Sequence, residues 1–293
     1  MYFFNKHIIL FPNSFFKLLR IIFMVELNNK YKIGKRRFGL INWIGLYSLY
    51  KKETLRFLIV FGQTILGPML TGILFLIVIS IALGEVRGEV LGLPFIEFLA
   101  PGLISMQVIQ QSFSHSSSSI LGGKMMGNII DLIGSPLSAG EVTFAIIFAS
   151  VTRAFIICCS SIICFNLFVN ITVLNYFYFI IFLLFSSFLM GALGFIAGLW
   201  ADRYDNMATI TNFVIVPLSF LSGTFYSIER LPDLLKEMSF YNPFFHMIDG
   251  LRFSMIGMSD GSTTFGLIYL LVLNLFMWGI AYYLYKIGYK IKS

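Results

Sequence analysis

Long apolar runs separated by short polar breaks fill most of this chain. A helix needs about 20 apolar residues to cross about 30 Å of hydrocarbon. Six runs reach that length, at about residues 57–83, 95–113, 142–169, 174–200, 207–225 and 265–285, and each predicts a spanning helix. Two other segments are amphipathic. In NWIGLYSLYKKETLRF, ahead of the first run, Trp43, Leu46, Leu49 and Tyr50 recur at helical spacing, with Lys51, Lys52 and Arg56 among the polar positions. That pattern predicts a helix lying in the membrane interface. In LPDLLKEMSFYNPFFHMIDGLR, residues 231–252, Leu231, Leu234, Leu235 and Met238 share a helical face, with Pro232 and Asp233 in the first turn. Asn242 caps and Pro243 opens a second short helix, about residues 244–255, where Asp249 and Arg252 stand at pairing distance in sequence. Phe244, Phe245, Ile248 and Leu251 favour burial of that helix; the alternative is a solvated loop.

Composition makes lipid part of the solvent. The 293 residues are 58% hydrophobic and 12% charged, with mean hydropathy +0.85, against roughly 25% charged in a soluble domain. The net charge of +7 is concentrated early, with eleven of the 21 Lys and Arg before Phe57. Lys286, Lys290 and Lys292 make the other end basic. Basic flanks stay in the cytoplasm, and an even span count puts both termini there. Residues 231–252 then lie outside and residues 114–141 inside. The charge suits an anionic lipid surface; with no helix-turn-helix, zinc-finger or RNP pattern, no nucleic-acid partner is expected. Residues 1–41 read as a basic leader and 287–293 as a cytoplasmic tail. Pro12 and Asn13 interrupt the leader, Met24 is an alternative start, and residues 1–23 are expected to be dispensable. Cys158, Cys159 and Cys164 share one apolar run and lack metal-ligand spacing.

Chemistry on the chain is sparse. SSILGGKM, residues 118–125, approaches a P-loop but has Ser118 for the first glycine and Met125 for the hydroxyl residue. No H-E-x-x-H motif occurs, and Ser222 with His246 only faintly suggests an intramembrane serine protease. Spans three to six carry no central carboxylate, which argues against an ion-coupled carrier. Arg153 is the intramembrane exception; it either snorkels inward or faces a polar interior. Gln107, Gln111 and His115 stand four apart with Gln110 beside them, giving a polar stripe. The stripe either bonds a neighbouring helix or lines a path. Gly191, Gly194 and Gly198 predict close helix packing.

Several motifs in order on six spans carry a family resemblance. FLAPGL (98–103) opens span two, GNIIDLIGSPLS (127–138) fills the inner loop, LWADR (199–203) follows span four, and LSGTFY (221–226) leaves span five. Leu231-Pro232, Asn242-Pro243 and IDGLR (248–252) complete the set. Over about residues 42–286 the chain resembles the ABC-2 family of ATP-binding-cassette transporter permeases. Lys124, Met125 and Met126 stand where many relatives carry an acidic pair or trio.

The resemblance implies an all-α polytopic membrane protein of six transmembrane helices, with an N-terminal interfacial helix and a short outer re-entrant helix pair between helices five and six. It implies the permease subunit of an exporter, with no ATPase of its own. ATP and Mg would sit on an ATP-binding subunit supplied in trans, and the permease would pair as a homodimer in the bilayer. Gly127, Asn128, Asp131, Leu132, Ser135, Pro136 and Leu137 would form the ATPase-coupling loop, unless they are a plain turn. Glu229, Pro232, Asn242, Pro243, Asp249 and Arg252 would form the outer gate. Gln107, Gln110, Gln111 and Arg153 would line a translocation path. Asp202, Arg203 and Asp205 are a second candidate inner contact or a solvated loop. A secondary transporter or polytopic membrane enzyme without an ATPase partner is the alternative.

Overall fold

The computed structural model describes residues 39, 41–87, 89–90 and 92–291; the expectations for residues 1–23 lie outside them. Helix α1, Trp43–Ile59, starts where Asn42 Oδ1 accepts from the Gly45 N–H at 3.0 Å. The Asn42 N–H donates to Glu141 Oε1 at 2.6 Å, which anchors this end of the helix on the start of the helix Ala139–Phe165. The predicted helix is present, but its buried stripe is Leu49, Glu53 and Phe57, and Trp43, expected on the apolar face, is exposed. Thr64 then donates to the carbonyls of Phe57 and Val60 and fastens the bend into α2. That helix begins with a π-turn, Gly62–Leu66, and continues as Gly67–Arg87.

A two-residue antiparallel pairing, Glu89–Val90 with Leu93–Pro94, turns at Gly92, whose φ of 75° suits glycine. It is a small departure from the all-helical expectation. Then come α3 (Phe95–Met125), α4 (Ile129–Gly134), α5 (Ala139–Phe165) and α6 (Tyr176–Trp200). Helix α7, Tyr204–Thr224, includes a π-turn at Thr211–Ile215 and a kink at Ser222 and Gly223 near its end. A 3-10 turn, Ile228–Arg230, leads to α8 (Asp233–Tyr241), α9 (Pro243–Ile256) and α10 (Thr263–Lys286).

Among the described residues five helices are long and apolar enough to cross a membrane: α2, α5, α6, α7 and α10. Six were expected. The remaining one, α3, is the longest at 31 residues, about 46 Å, but its glutamines and serines dilute its apolar character. It also corrects a boundary. The second apolar run was expected to end at Phe113, with a loop from 114; the helix instead runs on to Met125. Several of its serines are satisfied within the helix: Ser112 donates to the Val108 carbonyl at 2.7 Å and Ser118 to the His115 carbonyl at 3.0 Å. Burial by neighbouring helices supplies the rest of the stability that the sequence pattern lacks.

Helix α3 is the centre of the molecule. Phe98, Leu99, Ile104, Val108, Ile109 and Phe113 are buried with Phe182 and Leu183 of α6 and Ile248 and Leu251 of α9. The α3–α6 contact depends on glycine. A Cβ at Gly194 would overlap the Phe113 carbonyl, and one at Gly198 would crowd the Ser117 carbonyl. Against lipid, such backbone approach gains dispersion energy where removal from water offers little. A second cluster near α1 joins Leu49, Ile129, Val142, Phe195, Leu199 and Ala281. Helices α2 and α10 leave Leu70, Leu74, Val78, Ile268, Val272 and Phe276 exposed, as surfaces for lipid or another subunit do.

Candidate functional site

The polar stripe of α3 divides into two environments. Gln107 is held on both sides: its amide donates to the Pro68 carbonyl at 3.1 Å and its carbonyl accepts from Ser161 Oγ at 2.6 Å. It therefore joins α2 to α5 across α3, which favours the helix-bonding reading for this residue. Gln111 accepts from Arg153 Nη2, so the arginine turns into the bundle and is only 6% exposed. Of the two readings of Arg153, the polar interior is the one found. Gln110 Nε2 is buried without a partner. Gln107, Gln110 and Gln111 border a cleft of about 220 Å³ between α2 and α3, with Thr71, Phe75 and Leu103 on its other walls.

The α9 end is built around Arg252. This residue is 1% exposed; its Nη2 donates to the Gly223 carbonyl at 2.6 Å, and its guanidinium lies 4.0 Å over the Phe98 ring. Gly223, at φ 78°, breaks the last turn of α7 and turns its carbonyl to the arginine. Asp249 does not form the predicted ion pair with Arg252. Its carboxylate accepts from the N–H groups of Asp260 at 2.8 Å and Gly261 at 3.1 Å. Burial raises its pKa to about 6, against the downward pull of the Asp260 N–H and of Arg252. The spacing rule fails here because tertiary backbone partners outcompete a neighbour one turn away.

Asn242 caps α9 by accepting from the Phe244 N–H at 3.0 Å and also donates to Ser222 Oγ at 2.8 Å. Pro243 occupies the first turn. His246 bonds the Phe240 carbonyl through Nε2 at 2.8 Å, and because a carbonyl can only accept, that nitrogen carries the proton. Ser222 Oγ donates to the Leu218 carbonyl, so Ser222 and His246 are committed to different backbone partners. Helix α9 is buried, including Phe244, Phe245, Ile248 and Leu251, so it is no solvated loop. Helix α8 is the opposite: Leu234, Met238 and Tyr241 are exposed. Pro232 immediately precedes α8, and both Pro232 and Glu229 are exposed. Asp260 was not singled out in the sequence, yet it accepts from Ser227 Oγ at 2.6 Å and from the Ile228 N–H. The Asp260-Gly261 turn was the available signal.

At the other end, Gly127 adopts φ 77° and frees the chain to turn from α3 into α4. Asn128, Asp131, Gly134 and Pro136 are exposed, whereas Leu132, Ser135 and Leu137 are half-buried. Ser135 Oγ donates to the Leu132 carbonyl at 2.7 Å and stops the helix. Met126, Ile130 and Ile133 leave apolar surface exposed around it. Lys124 donates to the carbonyls of Leu199 at 2.9 Å and Ala201 at 2.7 Å. Lys290 donates to the Trp200 carbonyl and to Asp202 Oδ2, both at 3.0 Å. Both cations cap the negative end of α6. The bond from Lys290 lowers the Asp202 pKa, so Asp202 is engaged within the chain. Sequence spacing gave no sign of this clamp, since its parts are far apart.

These features define a polytopic helical membrane protein built on a polar central helix, with a short helix at one end and, at the other, a buried helix, α9, preceded by an exposed one, α8. The family model for the ABC-2 type transporter matches residues 45–256, and the chain belongs to that family. It is a membrane transport permease. It is 28% identical to the inner membrane transport permease YadH of Escherichia coli K12 over 237 residues, 80% of this chain and 93% of that protein. It is also 23% identical over 230 residues to nodulation protein J of Rhizobium leguminosarum bv. viciae, covering 75% of this chain and 84% of that one.

Proposed function

We propose that this chain is the permease subunit of an ABC exporter in a bacterial inner membrane. A separate ATP-binding subunit holds ATP and Mg and docks on the α4 segment. Two copies of the permease face each other. Helix α3 is the second of six spans, both termini are cytoplasmic, and α8 with α9 forms a re-entrant pair on the outer side. Residues 1–41 are a basic leader, 42–286 the transmembrane domain and 287–293 the tail. On this reading Gln107, Gln110, Gln111 and Arg153 border the path, and Glu229, Pro232, Asn242, Pro243, Asp249 and Arg252 belong to the outward gate.

The observation that carries the reading is the exposed apolar cluster of Met126, Ile130 and Ile133 around α4. A short helix between long ones, hinged at Gly127 and presenting apolar side chains, is suited to seat in a groove of another protein. The alternating polar and apolar character of α3 supports the path, because a helix with this many amides gains little from lipid.

Mild-detergent co-purification from native membranes, followed by mass spectrometry, tests the proposal. The expected result is an ATP-binding-cassette subunit in equal amount with this chain. Recovery of the chain without any ATPase, even after cross-linking at residue 131, would favour a secondary transporter or membrane enzyme instead.

A further inference from the structure

A second cavity, about 610 Å³, opens between α1, the start of α2, α3 and α5, and shares Gln111 with the 220 Å³ cleft. Three cations line it, Lys52, Arg56 and Arg153, against one carboxylate, Glu53. That carboxylate is already used: it pairs with Arg56 Nε at 2.9 Å and accepts from Ser119 Oγ at 2.7 Å. Arg153 lines the cavity although 6% exposed, and its Nε has no partner. A buried guanidinium without a counter-charge is an expensive arrangement unless something else supplies the charge.

The two arginines converge on neighbouring turns of α3. Arg153 bonds Gln111, and Arg56 bonds the His115 carbonyl at 3.0 Å and Ser118 Oγ at 3.3 Å. Residues 111 and 115 are four apart, about 6 Å along a helix axis, a spacing that a tetrahedral oxyanion can bridge with a guanidinium on either side. Ser114, exposed into the cavity between them, adds a hydroxyl donor. We propose that this cavity binds the phosphoryl headgroup of an anionic lipid between Arg56 and Arg153.

The surroundings favour a lipid over a free anion. Val60 lines the cavity and is continuous with exposed Ile59 and Phe61, so an acyl chain finds apolar surface beside the charged pocket. Arginine suits the headgroup because its planar fork matches phosphate oxygens in bidentate fashion. On the six-span reading the pocket falls at the inner leaflet, and the proposal rests on that placement for its access to lipid. It does not depend on an ATPase partner.

The test uses the purified full-length chain in nanodiscs of phosphatidylcholine with or without phosphatidylglycerol, and native mass spectrometry to count retained phospholipid. The wild-type chain is expected to retain phosphatidylglycerol in preference to phosphatidylcholine. Arg153→Gln and Ser114→Glu should each reduce that retention about tenfold, the loss expected when a charge-assisted contact goes or a like charge is added. Lys236→Gln, on exposed α8, should leave it unchanged. Ser114→Glu keeps the test decisive if Arg153→Gln does not fold. Inorganic pyrophosphate, added to phosphatidylcholine discs, distinguishes the sources: weak binding supports the lipid, and displacement of phosphatidylglycerol by pyrophosphate supports the same phosphoryl site open to a free anion. Equal retention of the two lipids by the wild-type chain, or undiminished retention in both variants, overturns the proposal. Neither result depends on whether an ATPase co-purifies.

Discussion

Arg252 of α9 lies over the Phe98 ring of α3 while donating to the carbonyl of Gly223 at the end of α7. One side chain therefore holds three elements at the point where they meet. Arg252→Met keeps the length and removes every donor, leaving the Gly223 carbonyl buried and short of a partner. The expected cost is about 2–3 kcal/mol, read as a lower Tm of the full-length chain in detergent. Arg252→Lys should fall between, because an ammonium keeps the charge but lacks the planar fork. An unchanged Tm in the methionine variant would remove Arg252 from this role.

Asp249 makes the α9 end sensitive to pH. Its pKa rises from 3.8 to about 6 on burial. The folded state then binds more protons than the unfolded state between those values, so stability falls as pH rises through that window and is flat above it. Two pKa units correspond to about 3 kcal/mol at most. Hydrogen exchange across residues 243–256 should be slower near pH 5 than at pH 7.5, after correction for intrinsic exchange. Asp249→Asn should flatten that difference, since it cannot ionise.

Gly194 and Gly279 offer a matched pair. The first has the Phe113 carbonyl against it, and the second has open space. Gly194→Leu is expected to separate α3 from α6 and to cost about 1–3 kcal/mol or more. Gly279→Leu should be neutral or slightly stabilising, because leucine is the better helix former by up to about 1 kcal/mol. Comparing the thermal stability of the two variants measures the contact directly. Equal behaviour would mean that the helices tolerate a wider spacing.

Asp131 is the cleaner probe of coupling, since it is exposed on α4 while Leu132 is half-buried. Asp131→Lys should uncouple ATP hydrolysis from transport in the assembled complex, while leaving insertion intact and stability within about 0.5 kcal/mol. Leu132→Asp should uncouple as well, with a larger stability loss because Leu132 packs on the cluster near α1. Paired ATPase and transport assays in reconstituted vesicles decide it. Normal coupling in both variants would contradict the docking role of this segment.

Hydropathy and local capping rules made much of the architecture readable. The helix ahead of the first span, the Asn242 cap with Pro243 behind it, and the Gly194–Gly198 packing all follow from short-range patterns. The extension of α3 to Met125 did not, because a serine run looks like a loop until neighbouring helices bury it. The Arg252 arrangement was also hidden: spacing pointed to Asp249, while the actual partners, Gly223 and Phe98, are remote in the chain. Of the polar stripe, the sequence located the residues but could not separate bonded Gln107 from partnerless Gln110. Lys124 stood out only as a departure from relatives; its role at the end of α6 depends on carbonyls that carry no sequence signature.

The π-turns in α2 and α7 lie in two of the less buried long helices, at Gly62–Leu66 and Thr211–Ile215. Each holds one residue more than its turn needs. Passing that surplus along by one turn trades wide hydrogen bonds for ordinary ones, so the ladder stays complete. Everything between the old and new positions rotates by about 100°. A one-turn shift would thus let these helices present a different strip of side chains to a neighbour without unwinding.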